Sequence, residues 1–561
     1  MAAIKRFPID KWTLLAADFD DTSTSATKDG AGLQTITLVD TPSRGTDLLG
    51  DDSSNCLTIN GTSEYAKIPA TFLTPFPKAI TFLLVCKPSG YTNGMRLFSK
   101  LNTAGTQVLD LYVDAGQKFA MRCMSDAGIT ALTSTVTATV GTTYRIGISV
   151  GAKGLSFYIN GSKVADASGR AWIPPVIASN GEQFPIGGYC ASSTFSNFFA
   201  GDIDAFRVYS REMTDPELAA YTAGNAPSVI PEAVLWKEVV GNGQPFIAPT
   251  QAAHVNSVYE ASMQIQTPGV YFTTTPVIGM TFTGGYSSPR MWYAEWNGVD
   301  APRLSDGPIL GGGVGGEAGL VCRGEWSKWG TTDFVTYVTA AGAGAALKYA
   351  TSTTGILNLA AAGTLIPDDE VANYDGYANA SKPMLIGSTY YMLVEAHTTA
   401  TGKWVVMLFK ADSLTQSPWE FVHVCASLQV STGSVSGPDW EVIGSNILLR
   451  YHVSRTSVLP SYMWKASIPV ADIETDTWTQ STDTPIHSFI YGSTWDVEQS
   501  SDVNVIEFQG RSYRAYEMGD DTNQKFGIML ETYQGSLSRV SSGLAPAPNI
   551  RNNLIVIPGG A

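Results

Sequence analysis

Short runs in which apolar and polar residues alternate recur along the first two fifths of the chain, and Gly, Ser, Asn or Pro interrupts each before it reaches helical length. They read "ITFLLVCKPS" from Ile80, "VLDLYVDA" from Val108, "KFAMRCMS" from Lys118, "YRIGISVG" from Tyr144, "LSFYINGSKV" from Leu155 and "DAFRVYS" from Asp204. A period of two turns one row of side chains inward and the next outward, which predicts antiparallel strands stacked as a sandwich. Asn160-Gly161 inside "YINGSKV" takes positive φ readily and predicts a tight hairpin.

At 561 residues the chain exceeds what one core supports, so two large domains are expected. Only 15% of residues are charged while Gly numbers 55, a balance that suits turn-rich β architecture. The proline- and alanine-rich "TAGNAPSVIPEAVL" from Thr222 reads as the joint. The expected division is an N-terminal segment 1–11, a sandwich 12–224, a linker 225–245, a second β domain 246–545 and a tail 546–561.

The formal net charge of −15, with no Lys/Arg cluster, leaves nothing to neutralise phosphates or an anionic lipid surface. Nucleic-acid and membrane partners are therefore not expected. No apolar run reaches the 18 or so residues of a membrane helix, and the opening "MAAIKRFPIDKW" has neither an apolar stretch nor a cleavage site. The expectation is synthesis in a cytoplasm without signal-directed secretion. Cys56, Cys86, Cys123, Cys190, Cys322 and Cys425 are spread widely, without a CxxC pair, and read as buried thiols. All five histidines lie in the second half, none spaced as metal ligands usually are, which argues against a zinc enzyme.

Several stretches occur in the order seen in one sandwich family: "LLAADFDD" from Leu14, "NGTSEYAKIP" from Asn60, the strand runs above, "FPIGGY" from Phe184 and "FAGDIDAFRVYSREMTDPELAAY" from Phe199. Together they resemble a laminin-G-like, concanavalin A-like jelly roll. The resemblance implies a closing strand beside the first one, with Thr214 and Glu217 as a capping box for a short final helix. It also implies that Asp204 helps hold a structural calcium. "DFDDTSTSATKDG" from Asp18 has the look of a calcium loop, yet it lacks the sixth-place glycine and the closing glutamate.

Beyond the joint, aromatic-rich runs repeat about every 60 residues: "VYFTTT" from Val270, "DFVTYV" from Asp333, "YYMLVEA" from Tyr390, "NILLRYH" from Asn446 and "SYRAYEM" from Ser512. Lys410-Ala411 and Lys465-Ala466 precede a turn and a tryptophan in two of these units and mark equivalent strands. Five small sheets closed into a ring explain the repeat, since none can cover both faces alone. The expected fold class is therefore all-β, a concanavalin A-like sandwich followed by a five-bladed β-propeller.

This second pattern resembles the five-bladed glycoside hydrolases of the arabinanase, xylosidase and invertase group. That resemblance implies carboxylates where each innermost strand begins, facing a shared cavity. Counting back from each repeat reaches Glu260, Glu325, Asn379, Asp439 and Asp502. Glu260, Glu325, Asp439 and Asp502 are the candidate catalytic residues, because crowded carboxylates raise one another's pKa and a protonated and an ionised pair cleaves glycosidic bonds. Each carboxylate alone reads equally as a strand-end hydrogen-bonding partner. The family's pattern of base, pKa-tuning acid and proton donor falls on Glu260, Glu325 and Asn379, and an asparagine is no proton donor. Asp375 or Asp439 is the substitute if the register is shifted.

Trp292, Trp296, Trp326, Trp329 and Trp495, with Tyr286 and Tyr293, are candidates for stacking on sugar rings, although aromatics more often serve packing. No nucleophile elbow or phosphate loop occurs, and the glycine run Gly311 to Gly316 reads as a loop between blades. The leading expectation is a glycan-recognition protein without strong catalysis, a tail or fibre component of a bacteriophage virion. Such a component would be made in the host cytoplasm, bind polysaccharide or cell-surface glycan, contact other virion proteins and form a homo-oligomer. An active two-carboxylate glycoside hydrolase and a purely structural virion protein are the alternatives.

Overall fold

The computed structural model describes residues 6–533, apart from 11, 21–22, 24, 28, 50–54, 74–75, 78, 102–106, 126–127, 152–153, 169–182, 192–193, 229–234, 241–244, 249–256, 274, 286–287, 340–344, 430–432, 455–460, 482–485, 487–498 and 521–524. The predicted tail 546–561 lies outside the described residues. The chain divides into two units, residues 1–228 and 229–561.

The first unit is a sandwich of two eight-stranded sheets. One sheet runs Ser162–Ser168, Gly154–Ile159, Tyr144–Gly151, Ile80–Pro88, Ala200–Tyr209, Cys56–Asn60 and Ser43–Gly45, with Thr13–Ala17 also paired to Ala200–Tyr209. The closing strand thus returns beside the first, as the resemblance implied. The facing sheet runs Gly128–Thr137, Lys118–Ser125, Gln107–Val113, Arg96–Leu101, Phe184–Ile186, Tyr65–Ile68, Ile36–Val39 and Ala26–Thr27. Between them Phe82 and Phe206 of the first sheet meet Phe98 and Phe184 of the second, with Phe82 and Phe98 stacked at 4.6 Å. Each ring removes a large apolar area from water, and the offset geometry adds roughly 1 kcal/mol per pair.

Asn160 and Gly161 do take positive φ, 48° and 85°, at the turn between Gly154–Ile159 and Ser162–Ser168. The helix Asp215–Thr222 starts with the Thr214–Glu217 capping box and lies on the outer face of the first sheet, where Leu218 packs with Leu83, Val85 and Met213. Gly147 permits that approach: a Cβ there would stand 2.8 Å from Thr222 and 3.1 Å from Leu218. Glu217 also receives Arg211 at 2.8 Å, so the buried cap doubles as a buried ion pair. Within the segment read as 1–11, Phe7 is buried and Asp10 accepts from the Trp12 N–H.

The second unit is a five-bladed β-propeller. From the hub outward, blade one is Val258–Gln266, Val277–Gly284, Arg290–Trp296 and Arg303–Leu304; blade two is Cys322–Trp329, Thr332–Val338, Leu347–Ser352 and Ala360–Ile366. Blade three is Tyr374–Ala380, Thr389–Thr398, Trp404–Ala411 and Glu420–Val424, and blade four is Ser434–Ile443, Asn446–Ser454, Ser461–Pro469 and Thr479–Gln480. Blade five is Gln499–Phe508, Arg511–Asp520, Lys525–Tyr533 and, as its outermost strand, Lys237–Glu238. Those last two residues fall in the stretch read as a linker; here they close the ring by pairing with Thr532 and Glu531. Each innermost strand packs against the next, and the fifth against the first.

Four of the five repeat runs fall on second strands, and Lys410-Ala411 and Lys465-Ala466 fall on third strands. The run from Val270 does not, because it precedes the second strand of blade one, which is Val277–Gly284. The turn before that strand holds Val270, Tyr271 and Phe272, whose backbone N–H groups all donate to Glu295. An aromatic-rich run was therefore a turn anchored by a buried carboxylate.

Candidate functional site

Every innermost strand of the propeller carries a β-bulge near the hub, two residues facing one on the neighbouring strand. The bulged pairs are Glu260-Ala261, Arg323-Gly324, Ala378-Asn379, Gly437-Pro438 and Asp502-Val503, followed by Ser262, Glu325, Ala380, Asp439 and Asn504. The first residue of the pair has positive φ in four blades, at Glu260 (56°), Arg323 (58°), Gly437 (57°) and Asp502 (49°). For a non-glycine residue that backbone is strained, and the ladder on either side holds it.

The structure brings Glu260, Glu325, Asn379, Asp439 and Asp502 around one cavity. They do not occupy equivalent positions, as the counting implied. Glu260 and Asp502 take the first place of the bulge, Asn379 the second, and Glu325 and Asp439 the residue after it. A bulge shifts the side-chain period by one, and the count back from the repeat runs varied from seven residues (Asp439) to eleven (Asn379), so it reached different places of the same kink.

The carboxylates are held from within. Arg323 Nε lies 2.9 Å from Glu260, and Thr283 Oγ1 donates to the other oxygen at 3.1 Å. Ser262 Oγ and Asn504 Nδ2 donate to Glu325 at 2.9 and 3.1 Å, with the Lys382 ammonium 3.6 Å away. Asn379 Nδ2 donates to Asp502 at 2.5 Å. Asp439 faces the Lys382 and Arg450 charges. Burial raises the Glu260 carboxyl to about 8 against the pull of Arg323, and nearby Asp502 adds to the rise. Glu325 is likewise raised to about 8 by burial against Lys382, and Asp439 to about 6. His452, buried beside the Arg323 guanidinium, is lowered to about 4 and stays neutral.

Three residues of this hub were not among the candidates. Glu395 accepts from the Gly437 N–H at 3.0 Å and lies 3.5 Å from Arg323. It stands opposite the bulge of blade three, where the other blades have Phe282, Tyr337, Tyr451 and Tyr516. A carboxylate in a slot otherwise aromatic was the legible signal. Arg323 and Lys382 carry no such mark: Lys382 reaches the Met263 carbonyl and Asn504 Oδ1 from the loop after the third innermost strand. Asp375 pairs with His397 at 2.6 Å, outside the set of residues lining the cavity.

The tryptophans are placed differently from the expectation. Trp292, Trp296 and Trp326 are buried between blades, Trp296 against Phe246 and Tyr513, and Trp326 against Tyr293 with its indole N–H on Asp333. Flat apolar rings fill the wedge between twisted sheets, so these three offer no face to a sugar. Trp329 is half-buried against Tyr390. Trp495 and Tyr286 lie outside the described residues.

In the sandwich, Asp204 sits at a bulge in Ala200–Tyr209 and is buried, its Oδ2 accepting from the Leu48 N–H at 2.6 Å. Its charge faces Arg145, and Asp202, two residues away, accepts from Thr58 Oγ1 at 2.6 Å. Calcium takes six to eight oxygens. A carboxylate committed to a backbone N–H and facing a guanidinium does not fit that ion. Asp18, from the calcium-like stretch, pairs with Arg207, and Asp29 accepts from four backbone N–H groups.

Comparison with known proteins places the first unit. Residues 60–219 match the family model described as the Concanavalin A-like lectin/glucanases superfamily. No curated protein matches the chain. Solved structures with similarity include a putative glycoside hydrolase from Parabacteroides distasonis, at 12% identity over 54% of this chain and 97% of that one, TM-score 0.40. An α-L-arabinofuranosidase from Podospora anserina in complex with cellotriose shares 9% identity over 54% of this chain and 98% of its own, TM-score 0.39. The CBM40 module of a Ruminococcus gnavus sialidase bound to α2,3-sialyllactose shares 19% over 30% and 95%, TM-score 0.26. At such identities and scores these likenesses fix neither activity nor ligand.

Proposed function

We propose that the protein recognises glycans without hydrolysing them, as a tail or fibre component of a bacteriophage particle. The observation that carries this reading is the state of the hub. Its carboxylates are engaged by Arg323, Lys382, Asn379, Asn504 and Ser262. Hydrolysis requires two carboxyl groups flanking a bound glycosidic bond with room for water or a nucleophile. Here cations and amides stand in that place. Sugar binding then falls to surfaces outside the hub, and the match of residues 60–219 to a superfamily of lectins and glucanases supports it. A low share of charged residues and the lack of a Lys/Arg cluster fit a particle surface that meets neutral polysaccharide.

One observation favours a second reading, an active glycosidase. Glu325 with its pKa raised to about 8 and the neighbouring Asp439 at about 6 are split as a proton donor and an ionised partner would be. A single panel of polysaccharides separates the two, scored for binding and for reducing-end release, with calcium and with chelator. Binding without release is expected, unchanged by chelator. Turnover abolished by Glu325→Gln or Asp439→Asn would replace the first reading with the second, and a blank panel for both binding and release would leave a structural virion role.

A further inference from the structure

At the outer edge of blade three an imidazole, a buried thiol and a carboxylate come together. His423 lies in the outermost strand of blade three, Glu420–Val424, and Cys425 follows two places on, so a period of two brings both side chains to one side. Asp476 comes from blade four, at the left-handed residue (φ 49°) that ends the 3-10 helix Val470–Thr475. One ring nitrogen of His423, Cys425 Sγ and a carboxylate oxygen of Asp476 all lie within 4.8 Å of one another.

A second observation points to a ligand. His423 Nδ1 stands 3.1 Å from the Val424 carbonyl, which accepts only, so Nδ1 carries the proton and Nε2 keeps its lone pair. That Nε2 is buried and has no hydrogen-bond partner. The imidazole that carries this unpartnered nitrogen stands beside a thiol and a carboxylate, a donor set that a divalent metal ion would complete.

We propose that His423, Cys425 and Asp476 bind a zinc ion that staples blade three to blade four. Nitrogen, sulfur and oxygen donors in a set of three suit tetrahedral zinc with water in the fourth place. Ligands 2.0–2.3 Å from a common centre stand about 3.5 Å apart, so atoms within 4.8 Å of one another close by at most about 1.3 Å on binding. Asp476 is already oriented by the Ser427 N–H and hydroxyl, at 3.2 and 2.8 Å. The helix carrying it is held against blade three by Glu474, which accepts from Tyr391 Oη at 2.7 Å and faces Lys410 at 3.3 Å. On binding, Cys425 releases its thiol proton to solvent and donates a sulfur lone pair. Burial and the Asp476 charge raise the thiol pKa, so without the ion it stays protonated and inert.

The test uses the full-length chain, reduced and stripped with chelator, titrated with zinc by calorimetry and with cobalt(II) by absorbance. The expected result is one ion per chain, a rise in melting temperature with zinc, and a thiolate-to-cobalt charge-transfer band. His423→Gln and Asp476→Asn, both at partly exposed positions, weaken zinc binding by roughly 10-fold or more, and Cys425→Ser removes the cobalt band. Cys425 is fully buried, so the two exposed-position variants decide the matter if the serine variant does not fold. Absence of stoichiometric binding, a cobalt spectrum without the thiolate band, or affinity unchanged in both His423→Gln and Asp476→Asn overturns the proposal.

Discussion

The two units solve the same problem, covering the inner faces of sheets, with opposite materials. In the sandwich, four phenylalanines from two sheets meet at the centre and buried charges are paired, Arg211 with Glu217 and Arg96 with Asp110. In the propeller, apolar wedges fill the seams between blades, while the centre is a ring of carboxylates and amides with the Arg323 guanidinium and the Lys382 ammonium among them. Geometry explains the difference. Two stacked sheets about 10 Å apart interdigitate fully, whereas five twisted sheets around an axis leave a tube at the middle where innermost strands expose polar edges. Arg323, Lys382 and Asn379 cross that tube and tie blades one, two, three and five to one another.

Truncating each centre breaks the comparison most sharply. Phe98→Ala is expected to cost about 3–5 kcal/mol in the unfolding of the sandwich, by the cavity it leaves, read from urea titration with hydrogen exchange assigning the loss to strands of residues 1–228. Arg323→Ala leaves Glu260 and Glu395 without their cation and costs about 3 kcal/mol, with faster exchange in the innermost strands of the propeller. An Arg323→Ala chain as stable as the parent would show that the hub holds nothing together.

Titration sharpens the contrast further. Folded Glu260 and Glu325 bind their protons more tightly than the unfolded chain does, so the stability they contribute is complete below the ordinary carboxylate range and is lost as pH rises through about 8. His452 acts oppositely, its contribution being present above pH 6.5 and lost toward pH 4. Between pH 6.5 and 8 only the glutamates act, so stability falls with rising pH by at most about 1.4 kcal/mol per unit per group. Glu325→Gln flattens that slope; an unchanged slope in thermal melts would rule out the raised carboxyl. The smallest effect belongs to the sandwich: Thr214→Ala removes the helix cap for about 1 kcal/mol, seen as fraying of Asp215–Thr222 by exchange.

Much of this was legible because it was local. Alternation in "ITFLLVCKPS", the Asn160-Gly161 turn and the Thr214–Glu217 box each state their structure within a few residues, and all three hold. The equivalence of Lys410-Ala411 with Lys465-Ala466 held for the same reason. Where the run from Val270 misled, a buried Glu295 more than twenty residues away had claimed the backbone of that turn. The tryptophans misled because a large apolar ring reads alike whether it faces a sugar or a neighbouring blade.

From the sequence alone came the all-β class, the two units, the five repeats and the carboxylates near four of the five innermost strands, since periodicity and turn chemistry are properties of contiguous residues. Only the tertiary structure decided which hub positions are equivalent, that Glu395 stands in an aromatic slot, that Arg323 and Lys382 fill the centre, and that His423 and Cys425 meet Asp476 across a seam. Bulges shift the period without changing composition, and the partner of a charge inside a ring is chosen by closure, which joins residues hundreds of positions apart.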